Sequence, residues 1–428
     1  MTTTATTPVR HPLREGQQAA MRAITGFLAN DAEPVFVLKG YSGTGKSTLV
    51  DHLIRELPKL QKMIKLVNPK APELELCLTA TTNKAAENLA SITNQEVRTV
   101  QSFLGLTVQT NYTTRETKLV IRKYEQKRQK LLLIDEASYI DPALLKYIFE
   151  LVKDSKIIFI GDPAQLTQVK ATNTPVFCAG FPGAELTEVV RAKFEDGTED
   201  RIHPITELAT NFRNTVNTGE WFNFNPDGNH IQYLERENFY QAILDEFTRP
   251  DWKSKDSKVL AWTNKRVLDY NNAIRNHCKG TANFQVGDYV VCNKYFGINK
   301  QTIKTDETVL ITHISEPTHQ FGVSGRFYTV ENRVKAFCPD DVEHKANRIK
   351  QAKSEADYGT LELIDTEWID LRSMYACTIN KSQGSTYDRV FIDLDDIKRC
   401  NSGNQIARML YVGVSRARHQ VFLTGDIC

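Results

Sequence analysis

Long hydrophobic runs are absent from this chain of 428 residues. No apolar run approaches the ~20 residues that a helix needs to cross a bilayer, so a membrane-spanning protein is excluded. The first residues, Met1 to Pro8, also lack the apolar centre of a signal peptide. The eight cysteines are scattered, with neither a C-x-x-C pair nor the spacing of zinc ligands. Such cysteines indicate reduced thiols in an intracellular protein, and we expect a cytoplasmic location without membrane contact.

An excess of charge of one sign is missing too, because the net charge is only +2. Any surface that binds nucleic acid must therefore be local. One stretch, residues 115–130, is basic, with seven Lys or Arg against Glu116 and Glu125. On charge alone, a solvated face explains this stretch equally well. There is no internal repeat, and the length predicts roughly two to four structural units of ~100–200 residues.

The most informative segment that is present runs from Gly40 to Ser47 and fits the pattern G-x-x-x-x-G-K-[ST]. An apolar strand candidate, 34–39, precedes it, and leucines at helical spacing follow until Pro58. In a loop of this kind, backbone N–H groups surround phosphate oxygens, the lysine reaches the β- and γ-phosphates, and the hydroxyl holds Mg²⁺. The sequence therefore predicts ATP and Mg²⁺ as ligands, with Lys46 in a catalytic role and contacts from Gly40, Gly43, Thr44, Gly45, Lys46, Ser47 and Thr48.

Strand-like and helix-like segments alternate along the first part of the chain, which predicts an α/β unit with a parallel sheet. Its strand candidates are 34–39, 74–80, 131–135 and 156–161. A second α/β unit is predicted from strand candidates at 259–263, 389–394 and 421–424. The long interval inside it, about 282–365, has the texture of a small antiparallel barrel, with strand candidates 284–292, 308–312 and 326–330 and a charged helix within 340–357.

Two adjacent carboxylates follow the hydrophobic strand candidate 131–135. Asp135 is placed to hold the metal, and Glu136 is placed to orient or deprotonate the attacking water. Paired acids after a strand also serve as helix caps, but a phosphate loop upstream favours catalysis. Gln165, in the turn after 156–161, is a candidate sensor of the γ-phosphate, although Gly-Asp-Pro is also a common turn.

Two arginines are candidates to neutralise charge in the transition state, an effect of roughly 10³–10⁵ in rate. Arg416 follows the apolar run 409–414, and Arg191 ends the segment 186–191. A surface arginine at the end of an element is the alternative for each. Both residues lie outside the first unit, so they would have to reach the nucleotide across a cleft between units. Nucleotide binding would then close the cleft and hydrolysis would release it, as in a motor.

The order of these segments resembles that of superfamily 1 helicases, most closely the RecD-like, Dda-type (superfamily 1B) helicases of tailed phages. The resemblance covers nearly the whole chain, through residues 15–20, 40–47, 80–86, 99–105, 135–138, 161–166, 376–386 and 411–418. It implies two RecA-like parallel-sheet domains with an inserted β-hairpin pin and an inserted SH3-like β-barrel. The implied bounds are 1–184 with a pin at about 105–130, then 185–281 plus 366–428, with the barrel at 282–365.

The resemblance also implies roles for individual residues. Gln17 resembles the glutamine that reads adenine, although Gln18 is adjacent, and Gly384 belongs to a segment at the nucleotide. Tyr112, near the turn of the pin, would stack on the separating base pair, which is worth about 1–3 kcal/mol; a surface tyrosine in a turn is the alternative. The single-stranded DNA path would include Thr79, Thr82, Asn83, Thr99, Gln101, Thr378, Asn380 and Lys381.

This chain departs from the family at three places. Thr81 stands where the family usually has proline, and Gln101 and Asn380 stand where it often has histidine. Glutamine and asparagine still donate hydrogen bonds to phosphates, so contacts to DNA survive these changes.

The resemblance implies an ATP-dependent DNA helicase that moves 5′ to 3′ along a single strand. The expected protein is a monomer that acts on single-stranded DNA and fork duplexes in the cytoplasm of a bacterial host. Single-strand binding or replisome proteins are candidate partners. Three alternatives stay open: an RNA helicase of the same architecture, a phosphate-loop kinase or NTPase that does not act on nucleic acid, and a single-strand binding module without hydrolysis.

Overall fold

A computed structural model describes residues 12–111, 116–166, 174–189, 202–298 and 301–427. Its first unit is built on six parallel strands in the order β10-β1-β9-β7-β2-β3. In chain order, the elements are α1 (Glu15–Ala29), β1 (Val35–Gly40), α2 (Lys46–Val67), β2 (Glu75–Ala80), α3 (Asn83–Thr93), β3 (Val97–Thr99), α4 (Val100–Phe103), β4 (Leu106–Asn111), β5 (Glu116–Ile121), β6 (Lys127–Arg128), β7 (Lys130–Asp135), α5 (Pro142–Leu151), β8 (Val152–Lys153), β9 (Lys156–Gly161), α6 (Pro175–Cys178) and β10 (Gly183–Leu186).

The central strand β7 shows why the sheet forms where it does. Its residues 131–134 are all apolar and fully buried, as expected for a parallel strand covered on both faces. Leu131 and Leu133 enter the core that α1 and α2 cover, while Leu132 and Ile134 enter the core beneath α5. The strand therefore carries Asp135 to the carboxyl edge of the sheet, where ligands of such sheets bind.

The helix α2 is longer than the sequence predicts. We expected the helical pattern to stop at Pro58, yet the helix continues to Val67 with Pro58 inside it. Proline removes one N–H donor, but the following residues Lys59 to Lys62 are good helix formers. The expected end at Pro58 is wrong for that reason.

The second unit begins with α7 (Pro204–Thr218), β11 (Ile231–Tyr233), α8 (Arg236–Phe247), β12 (Ser257–Ala261) and α9 (Asn264–Lys279). The chain then enters an insertion with β13 (Tyr289–Cys292), β14 (Phe296–Ile298), β15 (Gln301–Ile303), β16 (Thr308–Ile314), β17 (Thr318–Gln320), β18 (Val323–Val330), β19 (Val334–Pro339), α10 (Val342–Ser354), α11 (Tyr358–Glu367) and β20 (Leu371–Arg372). It returns with β21 (Ala376–Thr378), α12 (Ile379–Ser382), β22 (Tyr387–Asp393), α13 (Leu394–Ile397), α14 (Gly403–Val414) and β23 (Ala417–Thr424).

The sheet of the second unit is parallel, in the order β11-β23-β22-β12-β21, and so combines strands from before and after the insertion. The insertion forms an antiparallel sheet, β17-β18-β16-β13-β20, with β19 on β18 and its own apolar core. Because β20 pairs with β13, the inserted sheet extends past residue 365 to Arg372. The expected strand 284–292 is shorter and starts at Tyr289.

These observations confirm the predicted fold class of two parallel-sheet units with insertions, and the antiparallel sheet fits a small barrel. The antiparallel hairpin of β4 and β5 joins Leu106 to Ile121 and Asn111 to Glu116 in register. Two residues singled out in the sequence, Tyr112 and Arg191, lie outside the described residues. Among the helices described, none has the length and apolar character to cross a membrane.

Candidate active site between the two parallel sheets

The phosphate loop joins β1 to α2, as its sequence predicts. Gly43 and Gly45 have φ of 85° and 78°, in the left-handed region that favours glycine. A Cβ on Gly45 would lie 2.5 Å from Nε2 of Gln17. The ammonium of Lys46 donates to the carbonyls of Gly40 and Tyr41, at 2.8 and 2.9 Å, and so lies along the loop.

Of the two neighbouring glutamines in α1, it is Gln17 that contacts the loop. Its Nε2 donates to the carbonyl of Thr44 at 3.2 Å, and its side chain is 8 % exposed. Gln18 instead donates to the carbonyl of Leu13 and is exposed. The structure therefore places Gln17, and not Gln18, beside the site.

The two acids at the end of β7 lie on the same edge of the sheet. Glu136 adopts a φ of 53°, and its backbone N–H donates to Oδ1 of Asp135 at 2.8 Å. Burial, reinforced by the nearby Glu136 carboxylate, raises the pKa of Asp135 to about 7. A desolvated carboxylate in this position gains from a bound cation, which restores its charged form.

Gln383 of the second unit bridges candidate catalytic residues of the first. Its Nε2 donates to Oε2 of Glu136 at 3.2 Å and to Oε1 of Gln165 at 2.6 Å. Its Oε1 accepts from the hydroxyl of Tyr139 at 2.5 Å. Gln383 is 6 % exposed, so the two units are in close contact at the acids. Gln383 lies in the segment 376–386, but no local sequence pattern distinguishes its side chain from its neighbours.

Arg416 reaches the phosphate loop from the second unit. Its Nη2 donates to Oγ of Ser42 at 2.6 Å, while Nε and Nη1 bond carbonyls of their own unit, at Val412 and Ser385. The side chain is 1 % exposed, and burial lowers its pKa although the Glu136 carboxylate opposes that change. The arrangement rules out a solvent-facing surface arginine and places a guanidinium beside the loop.

Three further side chains of the second unit cross the interface, and sequence reasoning missed all of them. Tyr411 donates its hydroxyl to Oδ2 of Asp162 and accepts from the backbone N–H of Ser42 at 2.8 Å. Arg408 donates from Nη1 to the carbonyl of Gln165 at 2.6 Å. The guanidinium of Arg213 lies 3.6 Å from the centre of the Tyr41 ring. The only sequence signal was their position on amphipathic helices, which does not distinguish them from core residues.

Gly384 has a different environment from the one expected. Its carbonyl accepts from Nδ2 of Asn88 on α3, and its φ is 77°. The neighbouring Gln383 is the member of this pair whose side chain contacts Glu136. The nucleotide contact expected for Gly384 stays a prediction, and the left-handed turn at this glycine directs the side chain of Gln383 towards Glu136.

The residues expected to contact a strand share one local structure. The hydroxyls of Thr82, Thr99 and Thr378 each accept a backbone N–H and cap α3, α4 and α12. Each cap lies at or just after the carboxyl end of a strand, in the first unit for Thr82 and Thr99 and in the second for Thr378. Asn83, Gln101 and Asn380 follow these caps and are half-buried. The bond from Asn88 to Gly384 joins the two groups across the interface.

Thr79 and Lys381 do not match the expected strand path in this conformation. Thr79 is fully buried, and its hydroxyl donates to the carbonyl of Leu133 at 2.9 Å. Successive residues of a strand alternate between faces, and Thr79 lies on a covered face of the sheet, so the expected strand contact is wrong for Thr79. Lys381 donates to Oδ1 of Asp306 at 2.6 Å and to the carbonyl of Asn293 at 2.8 Å, both in the insertion.

The basic stretch of residues 115–130 carries much less free charge than its sequence suggests. Five of its cations lie within 4 Å of carboxylates, in pairs that join Lys118 to Glu116, Lys123 and Lys127 to Glu125, Arg128 to Asp154, and Lys130 to Glu75. The base of the hairpin packs on the first unit, where the hydroxyl of Tyr147 donates to the carbonyl of Leu119. The middle of β4 is solvated, with Val108 62 % exposed.

The donor set fits a triphosphate with Mg²⁺. Mg²⁺ prefers one or two carboxylates together with phosphate oxygens and water. Asp135 supplies a desolvated carboxylate, and Ser47 supplies a hydroxyl in the first turn of α2. Within the described part of the chain, no group of three or more His, Cys, Asp or Glu could form a metal cage. A site with few protein ligands suits a metal ion that is coordinated mainly by phosphate oxygens of the bound nucleotide.

Comparisons with known proteins give two family matches along the chain. Residues 12–211 match the family of AAA domains, and residues 373–424 match the family of UvrD-like helicase C-terminal domains. The RecBCD enzyme subunit RecD of Buchnera aphidicola subsp. Schizaphis graminum is 21% identical over 92% of this chain and 71% of that protein. An uncharacterised protein of Acanthamoeba polyphaga mimivirus is 20% identical over 95% of this chain and 98% of its own length.

The fold is also similar to that of solved Pif1 helicases. A structure of two coordinating Pif1 helicases at forked double-stranded DNA gives a TM-score of 0.53, with 98% of this chain and 93% of that chain covered. The Pif1 helicase from Bacteroides in complex with ADP-AlF3 and single-stranded DNA gives 0.52 with the same coverage. At 16% identity, these are similarities of fold.

Proposed function

We propose that this chain, a superfamily 1B helicase of the RecD and Pif1 type, is an ATP-dependent DNA helicase that moves 5′ to 3′ along a single strand. The observation that carries the proposal is the interface above the phosphate loop. Arg416 contacts Ser42 there, and Gln383 contacts Glu136, so both units surround one nucleotide site. Changes at the terminal phosphate would act directly on the contacts that hold the units together.

The chemistry of hydrolysis is assigned to residues of both units. Lys46 binds the β- and γ-phosphates in place of its present carbonyl partners, and Glu136 accepts the proton of the attacking water. Arg416 stabilises charge that develops on the phosphoryl group, while Gln383 and Gln165 orient Glu136 and the water. Ser47 and Asp135 would hold Mg²⁺, which would neutralise part of the phosphate charge.

Movement along the strand follows from the placement of the threonine caps. Thr82 and Thr99 belong to the first unit and Thr378 to the second, so opening and closing of the cleft changes the distance between two strand-contacting groups. Hydroxyls, amides and backbone N–H groups bind phosphates through hydrogen bonds. A strand held in this way is released faster than one held by many charged side chains. The β4–β5 hairpin projects from the first unit and would separate the duplex at its tip, where Tyr112 lies in the sequence.

A tailed-duplex assay tests this function. The full chain, ATP and Mg²⁺ are mixed with one duplex that carries only a 5′ single-stranded tail and another that carries only a 3′ tail. We expect unwinding of the 5′-tailed duplex alone. Unwinding of the 3′-tailed duplex alone would contradict the proposed direction, and no unwinding of either would contradict helicase activity. Lys46→Ala is the negative control, since it removes the phosphate contact.

The two enzyme alternatives give different results in the companion ATPase assay. Stimulation of ATP hydrolysis by single-stranded RNA but not by DNA would favour an RNA helicase. Hydrolysis that responds to neither, with phosphate transfer to a small molecule, would favour a kinase. We expect stimulation by DNA, because strand contacts and catalytic contacts share the same interface.

A further inference from the structure

Arg213 of the second unit lies against the phosphate loop of the first. It is on α7 and only 5 % exposed, and its guanidinium carbon lies 3.6 Å from the centre of the Tyr41 ring. A guanidinium at this distance is stacked on the aromatic face. Tyr41 is the second residue of the loop, and its carbonyl accepts from the ammonium of Lys46 at 2.9 Å. Arg213 therefore packs on a residue that holds Lys46 in the present conformation.

The same guanidinium also lies beside the turn that carries Gln165. Its Nε is 3.5 Å from Oδ1 of Asp162, a carboxylate that is fully buried. Oδ1 of Asp162 accepts from the backbone N–H of Ala164 at 3.0 Å, and the Asp162 carbonyl accepts from the backbone N–H of Gln165 at 3.2 Å. Asp162 thus fixes the backbone on which Gln165 is placed. A cation bonded to Oδ1 would act directly on this turn.

The donors of Arg213 are not all bonded in this conformation. Within the described part of the chain, its Nε has no hydrogen-bond partner. Its Nη2 lies 3.5 Å from Oε1 of Glu185 on β10, and this distance, like the one to Asp162, exceeds the ~2.7–2.9 Å of a charge-assisted bond. An unbonded donor on a buried cation costs free energy. A shift of less than ~1 Å would turn the contact with Asp162 into a bond of ordinary length.

A second arginine at the same turn, Arg408, has a different environment. Its Nη1 donates to the carbonyls of Pro163 and Gln165 at 2.7 and 2.6 Å, and its Nε donates to Oδ1 of Asn404 at 2.9 Å. These bonds already have ordinary lengths, so Arg408 holds the closed units together through the backbone of the turn. Arg213 instead meets the turn at its buried carboxylate, through a contact that shortens if the units close further.

We propose that Arg213 is a positioning residue for ATP hydrolysis, which bonds Asp162 when the units close on the nucleotide and so fixes the turn that carries Gln165. It acts through Asp162 and does not itself contact the nucleotide. The proposal rests on the proposed function, because it requires Gln165 to orient the attacking water. Since α7 belongs to the second unit, the bond forms only when that unit is in place. Hydrolysis is thereby linked to closure at a second point besides Arg416.

A double-mutant cycle in the full chain tests this role. The kcat and KM of ATP hydrolysis are measured with saturating oligo-dT in wild type, Arg213→Met, Gln165→Ala and the double variant. Arg213→Met keeps an apolar side chain against Tyr41, and we expect kcat to fall roughly tenfold with KM within about twofold, since the lost bond acts on the transition state. Gln165→Ala should lose at least as much. The double variant should equal Gln165→Ala, because Arg213 acts on the reaction only through that turn.

Two further variants separate positioning from a purely structural role, which cation stacking on Tyr41 alone would explain. Arg213→Lys keeps a cation with donors for Oδ1 of Asp162 and should restore kcat to within about threefold of wild type. Arg399→Gln, an exposed arginine of the second unit, is the matched control for loss of charge and should leave kcat and KM unchanged. Equilibrium binding of a fluorescent ATP analogue, measured for each protein, shows that the nucleotide site is folded.

Three results would overturn the assignment. One is a kcat in Arg213→Met equal to that of the control. Another is a double variant in which the two losses multiply, as expected of an arginine that acts independently of Gln165. The third is loss of ATP-analogue binding in both Arg213→Met and Arg213→Lys, which would make Arg213 part of the binding site or of its scaffold. If oligo-dT stimulates hydrolysis by wild type, these results reject the role of Arg213 alone, and if it does not, the proposed function itself fails.

Discussion

At the scale of single residues, the candidate active site depends on side chains with more than one partner. Gln383 donates to Glu136 and Gln165 and accepts from Tyr139, so one amide links three residues of the other unit. An oriented donor fixes the rotation of the carboxylate that it binds, so one lone pair of the carboxylate stays directed at the cleft. The orientation of the Glu136 carboxylate therefore depends on a residue more than two hundred positions away in the sequence.

Substitution of Gln383 tests this arrangement. Gln383→Glu replaces the donor with a carboxylate that repels Glu136, and we expect ATP turnover in the presence of oligo-dT to fall roughly 10–100-fold, from a lost charge-assisted bond of about 1.5–3 kcal/mol. Equilibrium binding of a fluorescent ATP analogue should change much less. Gln383→Ala, which removes the donor without adding charge, should give a smaller loss. Equal turnover in all three proteins would show that Gln383 does not position Glu136.

The residues that the sequence could predict are those whose neighbours in the chain define their role. The loop from Gly40 to Ser47 and the acids Asp135 and Glu136 follow strands, and the order strand, loop and helix already sets their geometry. Tyr411 and Gln383 could not be selected in this way, since their partners lie in the other unit. Thr79 was wrongly included because a motif does not tell which face of the sheet a strand residue occupies.

At the scale of elements, the start of α7 depends on a histidine whose protonation state matters. His203 caps this helix through Nδ1, which accepts from the backbone N–H of Ile205 at 3.3 Å. Burial, with the nearby His230 ring, lowers the pKa of His203 to about 4. The opposing charge of Asp227 is not enough to reverse that shift. The cap therefore requires the neutral imidazole, because only an unprotonated Nδ1 can accept the hydrogen bond.

Stability should fall with decreasing pH because of this cap. Between pH 6.5 and 4 the unfolded chain binds a proton at His203 and the folded chain does not, so the free energy of unfolding is largest above pH 6.5 and decreases as the pH falls towards 4. We expect the decrease from pH 7 to pH 5 to be smaller in His203→Asn by up to about 2 kcal/mol, since asparagine caps without titrating. Urea unfolding at the two pH values measures the difference, and parallel curves for both proteins would contradict it.

At the scale of the whole molecule, the closed arrangement of the two units depends on buried polar contacts. Tyr411 joins Asp162 and the N–H of Ser42, while Arg408 bonds the carbonyls of Pro163 and Gln165. Each of these groups would lose its partner if the units separated without water or nucleotide to replace it. Hydrogen bonds therefore hold the two units in contact. The units can separate only if these bonds are replaced together by bonds to other groups.

Removal of one hydroxyl should shift the balance between open and closed forms. Tyr411→Phe leaves Asp162 and the Ser42 N–H without this partner, and we expect closure to weaken by about 1–3 kcal/mol. Fluorescence energy transfer between a dye on each unit should report a longer mean distance in the variant without nucleotide. Tyr233→Phe, an exposed tyrosine on β11, serves as the control. The same transfer efficiency in Tyr411→Phe and wild type would show that the hydroxyl does not maintain closure.

The interrupted second sheet has a consequence for the order in which the protein can fold during synthesis. Val259 of β12 pairs with Ala376 and Phe391, and β23, which ends at Thr424, lies between β11 and β22. The first sheet is complete once Leu186 has left the ribosome, whereas the second sheet is complete only after Thr424. Domains generally fold as units as they emerge at ~5–20 residues per second. For roughly 10–50 seconds, the nascent chain would then carry a folded first sheet together with unpaired strands of the second. Chaperones would have their largest effect in this period, because the unpaired strands are exposed.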